Sequence, residues 1–132
     1  MTAWTAAPGE NFVTAPDGSE VRPLLEVARG GMALCTLPPG GVSKAVRHTT
    51  IEELWFVTAG RGQVWRKLGD REEVVEACVG RCLAIPTGAH FQFRNTGDVP
   101  FSFIMATMPP WPGMAEAVPV ADHWPRTDSG AT

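Results

Sequence analysis

The apolar positions of this chain come in short runs, each closed by a glycine or proline turn roughly ten residues after the last, which is the pattern of strands rather than helices. The runs are Glu20–Glu26, Met32–Leu37, Val42–Val46, Leu54–Ala59, Gln63–Lys67, Glu73–Glu76, Cys82–Ile85, His90–Arg94 and Phe101–Met108. Between them fall Gly30-Gly31, Pro38-Pro39-Gly40-Gly41, Gly60, Gly69-Asp70, Gly80, Pro86-Thr87-Gly88 and Gly97-Asp98. Gly69-Asp70 predicts a hairpin between the runs on either side of it. No segment carries a helical period; Gly113–Val118 predicts a single turn.

The ends read differently. Residues 1–19 are polar and rich in Ala, Thr, Gly and Pro, which predicts a flexible arm. After Met108 the prolines are too frequent for a strand interior, so the tail is expected to wrap the domain and cover an edge with Trp111 and Trp124. Residues 126–132 are expected to be disordered, leaving 20–125 as the folded body. So many strands in so short a chain require a closed or doubled sheet, because an open one would leave long bare edges. The expectation is all-β: one jelly-roll barrel with an N-terminal arm and a proline-rich C-terminal wrap.

At 132 residues the chain is one domain with room for one core. Its 11 basic and 14 acidic residues give a net charge of -3 with no basic stripe, which argues against nucleic acid, since phosphate binding needs clustered Lys and Arg. No apolar run reaches the length of a membrane span, and Met1-Thr-Ala-Trp4 opens no signal peptide. Cys35, Cys78 and Cys82 are an odd set without a compact framework, which predicts a reduced, cytoplasmic protein; Cys78 and Cys82 are read as core thiols in preference to zinc ligands, since no second Cys/His pair completes four.

Candidate chemistry sits in two blocks. The first runs from Gly41 to Gly60 and places His48 and Glu53 at the head of an apolar run. The second runs from Gly80 to Asn95 and includes Pro86, Gly88 and His90. Residues 53, 55 and 57 share a strand face with period two, so Glu53 joins Trp55 and Val57 while Glu52 faces the other way. A carboxylate on an interior face needs a cation, a metal or a hydrogen bond. A histidine beside it makes either a metal site or an acid–base pair.

Together the blocks resemble the two motifs of the cupin superfamily. In the first, glycine, His-x-His, glutamate and glycine correspond to Gly41, His48, Glu53 and Gly60. In the second, the glycine, the Pro-x-Gly and the asparagine correspond to Gly80, to Pro86 with Gly88, and to Asn95. The resemblance spans roughly Leu24 to Thr107 and implies the cupin jelly roll, or double-stranded β-helix. The phrases His48-Thr-Thr-Ile-Glu-Glu53, Gly60-Arg-Gly-Gln-Val-Trp-Arg66, Ile85–Arg94 and Thr107-Met-Pro-Pro-Trp-Pro-Gly113 also resemble a narrower group of single-domain bacterial cupins. Family behaviour implies a homodimer, for which the arm and the Leu54/Phe56 face are the candidate contacts.

Two departures bear on chemistry. Val46 stands where the motif has its first histidine, and Phe91 where it has its last, with His90 one residue ahead. A shift of one residue changes strand face. If Asn95 sets the register, Phe91 and Phe93 point inward and His90 points away. If the Gly88-Ala89-His90 turn sets it, His90 and Gln92 point inward instead. With His90 inward, His48, Glu53 and His90 would hold a divalent Zn, Fe, Mn or Ni ion; with His90 outward, His48 and Glu53 remain as a metal-free pair. Trp55, Trp65, Phe91 and Phe93 are candidate walls for a flat or apolar ligand, with Gln63 and Gln92 as polar contacts. Lys44, Arg47, Arg66 and Arg94 are read as a solvated outer face, Met32, Met105 and Met108 as core fillers, and His123 as structural.

Two functions remain open on these residues. One is an enzyme of isomerase, cyclase, lyase or oxygenase type, acting on a carbonyl- or hydroxyl-bearing metabolite through His48 and Glu53 with or without a metal. The other is a non-catalytic small-molecule binder with a degraded metal site.

Overall fold

The computed structural model describes residues 5, 12–15 and 19–127. Among them the strands are β1 (Val13–Thr14), β2 (Glu20–Val27), β3 (Gly30–Leu37), β4 (Val46–His48), β5 (Glu52–Ala59), β6 (Arg61–Leu68), β7 (Arg71–Cys78), β8 (Cys82–Ile85), β9 (His90–Asn95), β10 (Phe101–Met108) and β11 (Ala117–Pro119). One sheet has the order β1-β2-β3-β10-β5-β8 and the other β11-β4-β9-β6-β7, with every pairing antiparallel. The two sheets face each other as a cupin jelly roll, and no helix among the described residues is long and apolar enough to cross a membrane.

Period-two alternation decides what enters the space between the sheets. In β5, Glu53, Trp55 and Val57 are buried while Leu54 and Phe56 are exposed. In β9, Phe91, Phe93 and Asn95 point inward. Trp55 stacks on Phe103 with centroids 4.0 Å apart, and Phe93 meets both rings edge-on. This aromatic block fills one end of the barrel and leaves the other end open around His48.

Glycine allows the tight places. A Cβ at Gly62 would lie 2.4 Å from the carbonyl oxygen of Arg94 and 2.8 Å from the Phe101 ring, so β6 approaches β9 only because that side chain is missing. At the β6–β7 hairpin only Gly69 has positive φ, at 60°, which is the pattern of a two-residue type II′ turn.

Several expectations change. Of the third run, Val42–Val46, only Val46 lies in a strand, β4, which continues to His48; Ser43 and Ala45 are instead held by bonds from Ser43 N to Phe93 O, Phe93 N to Ser43 Oγ and Ala45 N to Asp122 Oδ1. Part of the expected loose arm, β1, pairs with β2, and most of residues 1–19 lie outside the described residues. Of the end expected to be disordered, 126–132, residues 128–132 also lie outside them, whereas Thr127 exchanges backbone and side-chain hydrogen bonds with Val42. The proline-rich tail does contain a strand, β11, because its pairing needs only Ala117–Pro119 at the sheet edge. Only Cys35 is a core thiol. Ala77 and Leu83 take the inward positions, so alternation turns Cys78 and Cys82 out to solvent. Met32 is likewise exposed, whereas Met105 packs against the core.

Candidate functional site

His48 closes β4, a three-residue strand whose inward positions are Val46 and His48. Its partner Glu53 begins the inward row of β5, across the barrel mouth. The loop between them is held from outside by the tail. Glu116, in the single 3-10 turn Met114–Glu116, accepts the Thr50 N–H at 2.6 Å, the Ile51 N–H at 2.7 Å and the Thr50 hydroxyl at 2.7 Å. Its carbonyl oxygen takes the N–H of Thr49, and Ala117 pairs with His48 in the ladder. Burial alone would raise the Glu116 carboxyl, but these hydrogen bonds, with the nearby His48, hold it below the ordinary range.

The two inward groups are each only 4% exposed. His48 Nε2 lies 3.4 Å from Glu53 Oε2, and Glu53 Oε1 accepts the Trp55 indole N–H at 2.8 Å. The His48–Glu53 geometry falls short of a hydrogen bond, so both imidazole nitrogens are buried without a hydrogen-bond partner in the protein. Phe91 tilts against the imidazole at 5.1 Å and Trp111 meets it edge-on at 5.5 Å, so the ring is fixed by aromatic contacts and its nitrogens are left free. Both residues line a cavity of about 640 Å³, walled by Trp55, Phe91, Phe93 and Met105 and rimmed by β1, β2 and Trp111. That size and apolar character suit a small organic ligand.

The remaining candidates lie elsewhere. Asn95 sets the register, with its amide held by the carbonyls of Leu37 and Val99, so His90 points out of the barrel between Arg47 and Lys67 of the flanking strands. His90 is therefore no partner of His48 and Glu53. Trp65, also outward, donates to Glu72 and stacks on His123 at 5.0 Å with the planes 7° apart. Gln63 bonds Glu76 and Arg94 on the outer surface. Gln92 is fully buried, yet under the tail: it donates to the carbonyls of Ser43 and Trp124 and accepts the N–H groups of His123 and Trp124. These three are structural, because each stands on the face opposite the cavity.

A divalent metal fits this donor set poorly. Val46 and Phe91 occupy the two inward positions beside His48 with apolar groups, and one oxygen of Glu53 is already bonded to Trp55. Among the described residues no group of three His, Cys, Asp or Glu side chains converges, whereas a catalytic site of this kind takes three protein ligands. Two residues were missed from sequence. Glu116 lies in a stretch without strand alternation, and its role depends on N–H groups far away in the chain. Trp111 was assigned to an edge and instead stands over His48.

Comparison with known proteins agrees with this architecture. A family model described as the cupin domain matches residues 33–107. An uncharacterised protein of Methanocaldococcus jannaschii is 28% identical over 100 residues, covering 72% of this chain and 77% of its own length. Among solved structures, BH2720 of Bacillus halodurans superposes with a TM-score of 0.65 at 20% identity, over 86% of this chain and 89% of that one. Oxalate decarboxylase of Bacillus subtilis superposes with a TM-score of 0.63 at 16% identity, over 74% of this chain but 27% of its own. At such identities the solved structures speak for the fold alone, while the family match covers more than half of the sequence: this protein belongs to the cupin family.

Proposed function

We propose that the protein binds a largely apolar small molecule in the barrel and moves a proton on its carbonyl or hydroxyl group with His48 and Glu53, without a metal. The observation that carries this reading is the buried imidazole whose two nitrogens have no hydrogen-bond partner in the protein, beside a buried carboxylate at 3.4 Å, both lining an apolar cavity. A buried polar group without a partner is costly, and a ligand atom is the natural partner here.

The chemistry that suits the pair is enolisation. Glu53 Oε2 takes a proton from the carbon next to the carbonyl while a His48 N–H delivers one to the carbonyl oxygen. Return of the protons, to the same carbon or to a conjugated one, gives exchange or isomerisation with no net consumption of either residue. The Trp55 indole N–H at 2.8 Å fixes the Glu53 carboxylate so that one oxygen stays directed at His48. The aromatic walls exclude water from the reacting carbon.

A panel of cyclic ketones in deuterated buffer tests this: NMR should show protein-catalysed loss of α-proton signal, reduced at least about a hundredfold in Glu53→Gln and in His48→Ala. Equal rates in the wild type and both variants would remove the catalytic reading. In that case the non-catalytic binder, favoured by the apolar Val46 and Phe91 at the other two motif positions, stands in its place.

A further inference from the structure

Every lysine and arginine of this protein stays out of the cavity. All 11 fall between Arg22 and Arg126, within the described residues, so the segments outside them contribute none. Their positions are accounted for on the exterior. Arg94 lies over the Trp124 ring at 4.3 Å and bonds Gln63, Arg66 bridges Glu73 and the Ala84 carbonyl, and Arg47 sits in the ladder between His90 and Val118. None of the 11 appears among the cavity-lining residues.

Among the described residues, the titratable groups that line the cavity are Glu26 at the rim, His48 and Glu53 within it, and the thiol of Cys35. Among the described residues His48 is the one cavity-lining group able to carry positive charge, and it already faces Glu53 at 3.4 Å. A carboxylate or phosphate entering this space would meet two glutamates and, among the described residues, no free cation. An anion buried without a cation is strongly disfavoured, and nearby like charge adds to the penalty. A hydroxyl or carbonyl has no such difficulty, since either can bond an imidazole nitrogen and Glu53 without bringing charge.

We infer that the cavity selects by charge: it takes an uncharged, largely apolar molecule whose single hydroxyl or carbonyl meets His48 and Glu53, and rejects the carboxylate or phosphate of the same shape. This inference rests on the reading of the cavity as a ligand site.

A matched pair of fluorescent probes tests it, 1-pyrenemethanol against 1-pyrenecarboxylate, titrated at pH 7.5 and followed by energy transfer from tryptophan. The alcohol is expected to bind at least about tenfold more tightly. Glu53→Gln should narrow that ratio. Glu26→Lys, a change at an exposed rim position, should tighten the carboxylate severalfold more than it alters the alcohol. Equal or tighter binding of the carboxylate by the wild type overturns charge selection and leaves the ligand site standing. No binding of either probe overturns the ligand site itself, and charge selection with it. Carboxylate affinity unmoved by Glu26→Lys overturns the role assigned to the rim.

Discussion

The carboxylate of Glu116 lies 2.6 Å from the backbone nitrogen of Thr50, although the two residues are 66 apart in sequence. Through this contact the tail holds the loop that spaces His48 from Glu53. Glu116 is thus a positioning residue for the proposed pair, and its removal should be felt at the site as well as in stability.

Glu116→Gln keeps the shape and removes the charge: its amide oxygen can still accept the N–H groups of Thr50 and Ile51, while its NH2 faces the Thr50 hydroxyl, which must turn from donor to acceptor. A loss of about 1–2 kcal/mol is expected, since charge-assisted bonds are the strong ones. The pH dependence has a defined sign. The folded pKa of Glu116 lies below its unfolded value near 4.5, so its stabilisation is present above pH 4.5 and is lost as pH falls through the lower folded value. Urea melts should show the wild type weakening on acidification below about pH 4.5, with a shallower slope in Glu116→Gln. Parallel slopes in the two proteins would contradict the assignment.

The apolar residues at the other motif positions predict a gain of function. Val46 and Phe91 are register partners pointing into the barrel, and the Phe91 ring lies 5.1 Å from the imidazole of His48. Replacing both, as Val46→His with Phe91→His, would place three imidazoles and Glu53 around one space. The wild type is expected to retain less than about a tenth of an equivalent of transition metal after purification without an affinity tag, and the double variant about one. Elemental analysis reads the difference, and cobalt absorption in the visible reports the geometry. A wild type with stoichiometric metal would show that two protein donors suffice.

Much of this was legible in sequence for a simple reason. Strand alternation and turn residues are local signals, and they located β5, β8, β9 and β10 and set Glu53 on the inner face of β5 with Trp55 and Val57. The direction of His90 was not legible, because it turned on whether Asn95 or the turn at Gly88 sets the register. The answer is a long-range fact: the Asn95 amide is tied to Leu37, 58 residues away. Gln92, Trp65 and Gln63 were drawn toward the ligand by polarity or aromaticity, but their faces follow from that same register. Glu116 had no local signature at all, since its partners are backbone groups.

Gln92 offers a test of the corrected register. All four of its hydrogen bonds run to Ser43 and to the tail at His123 and Trp124, none of them into the cavity. Gln92→Ala should therefore cost about 2–4 kcal/mol and release the tail, since one buried and three part-buried backbone groups lose their bonds at once. Hydrogen exchange should rise at residues 122–124, while the affinity for a cavity ligand stays within about twofold of the wild type. A large loss of ligand affinity without tail exchange would return Gln92 to the site.

Trp55 and Trp111 both touch the cavity, yet they should respond to truncation in opposite ways. Trp55 is 2% exposed, stacks on Phe103 and donates to Glu53, so Trp55→Ala opens a void in the aromatic block and should destabilise by about 3–5 kcal/mol. Trp111 is 38% exposed, lies in the tail before the 3-10 turn, and meets His48 only through a ring edge at 5.5 Å. Its contribution to folding is correspondingly small, about 1 kcal/mol. As part of the rim it covers the end of the cavity where the imidazole nitrogens lie free. Trp111→Ala should then weaken an apolar ligand by about tenfold, or 1.4 kcal/mol, with the thermal midpoint nearly unchanged. Calorimetric titration beside a thermal melt separates the two effects, and a variant that loses stability but binds as before would place Trp111 in the core instead of the rim.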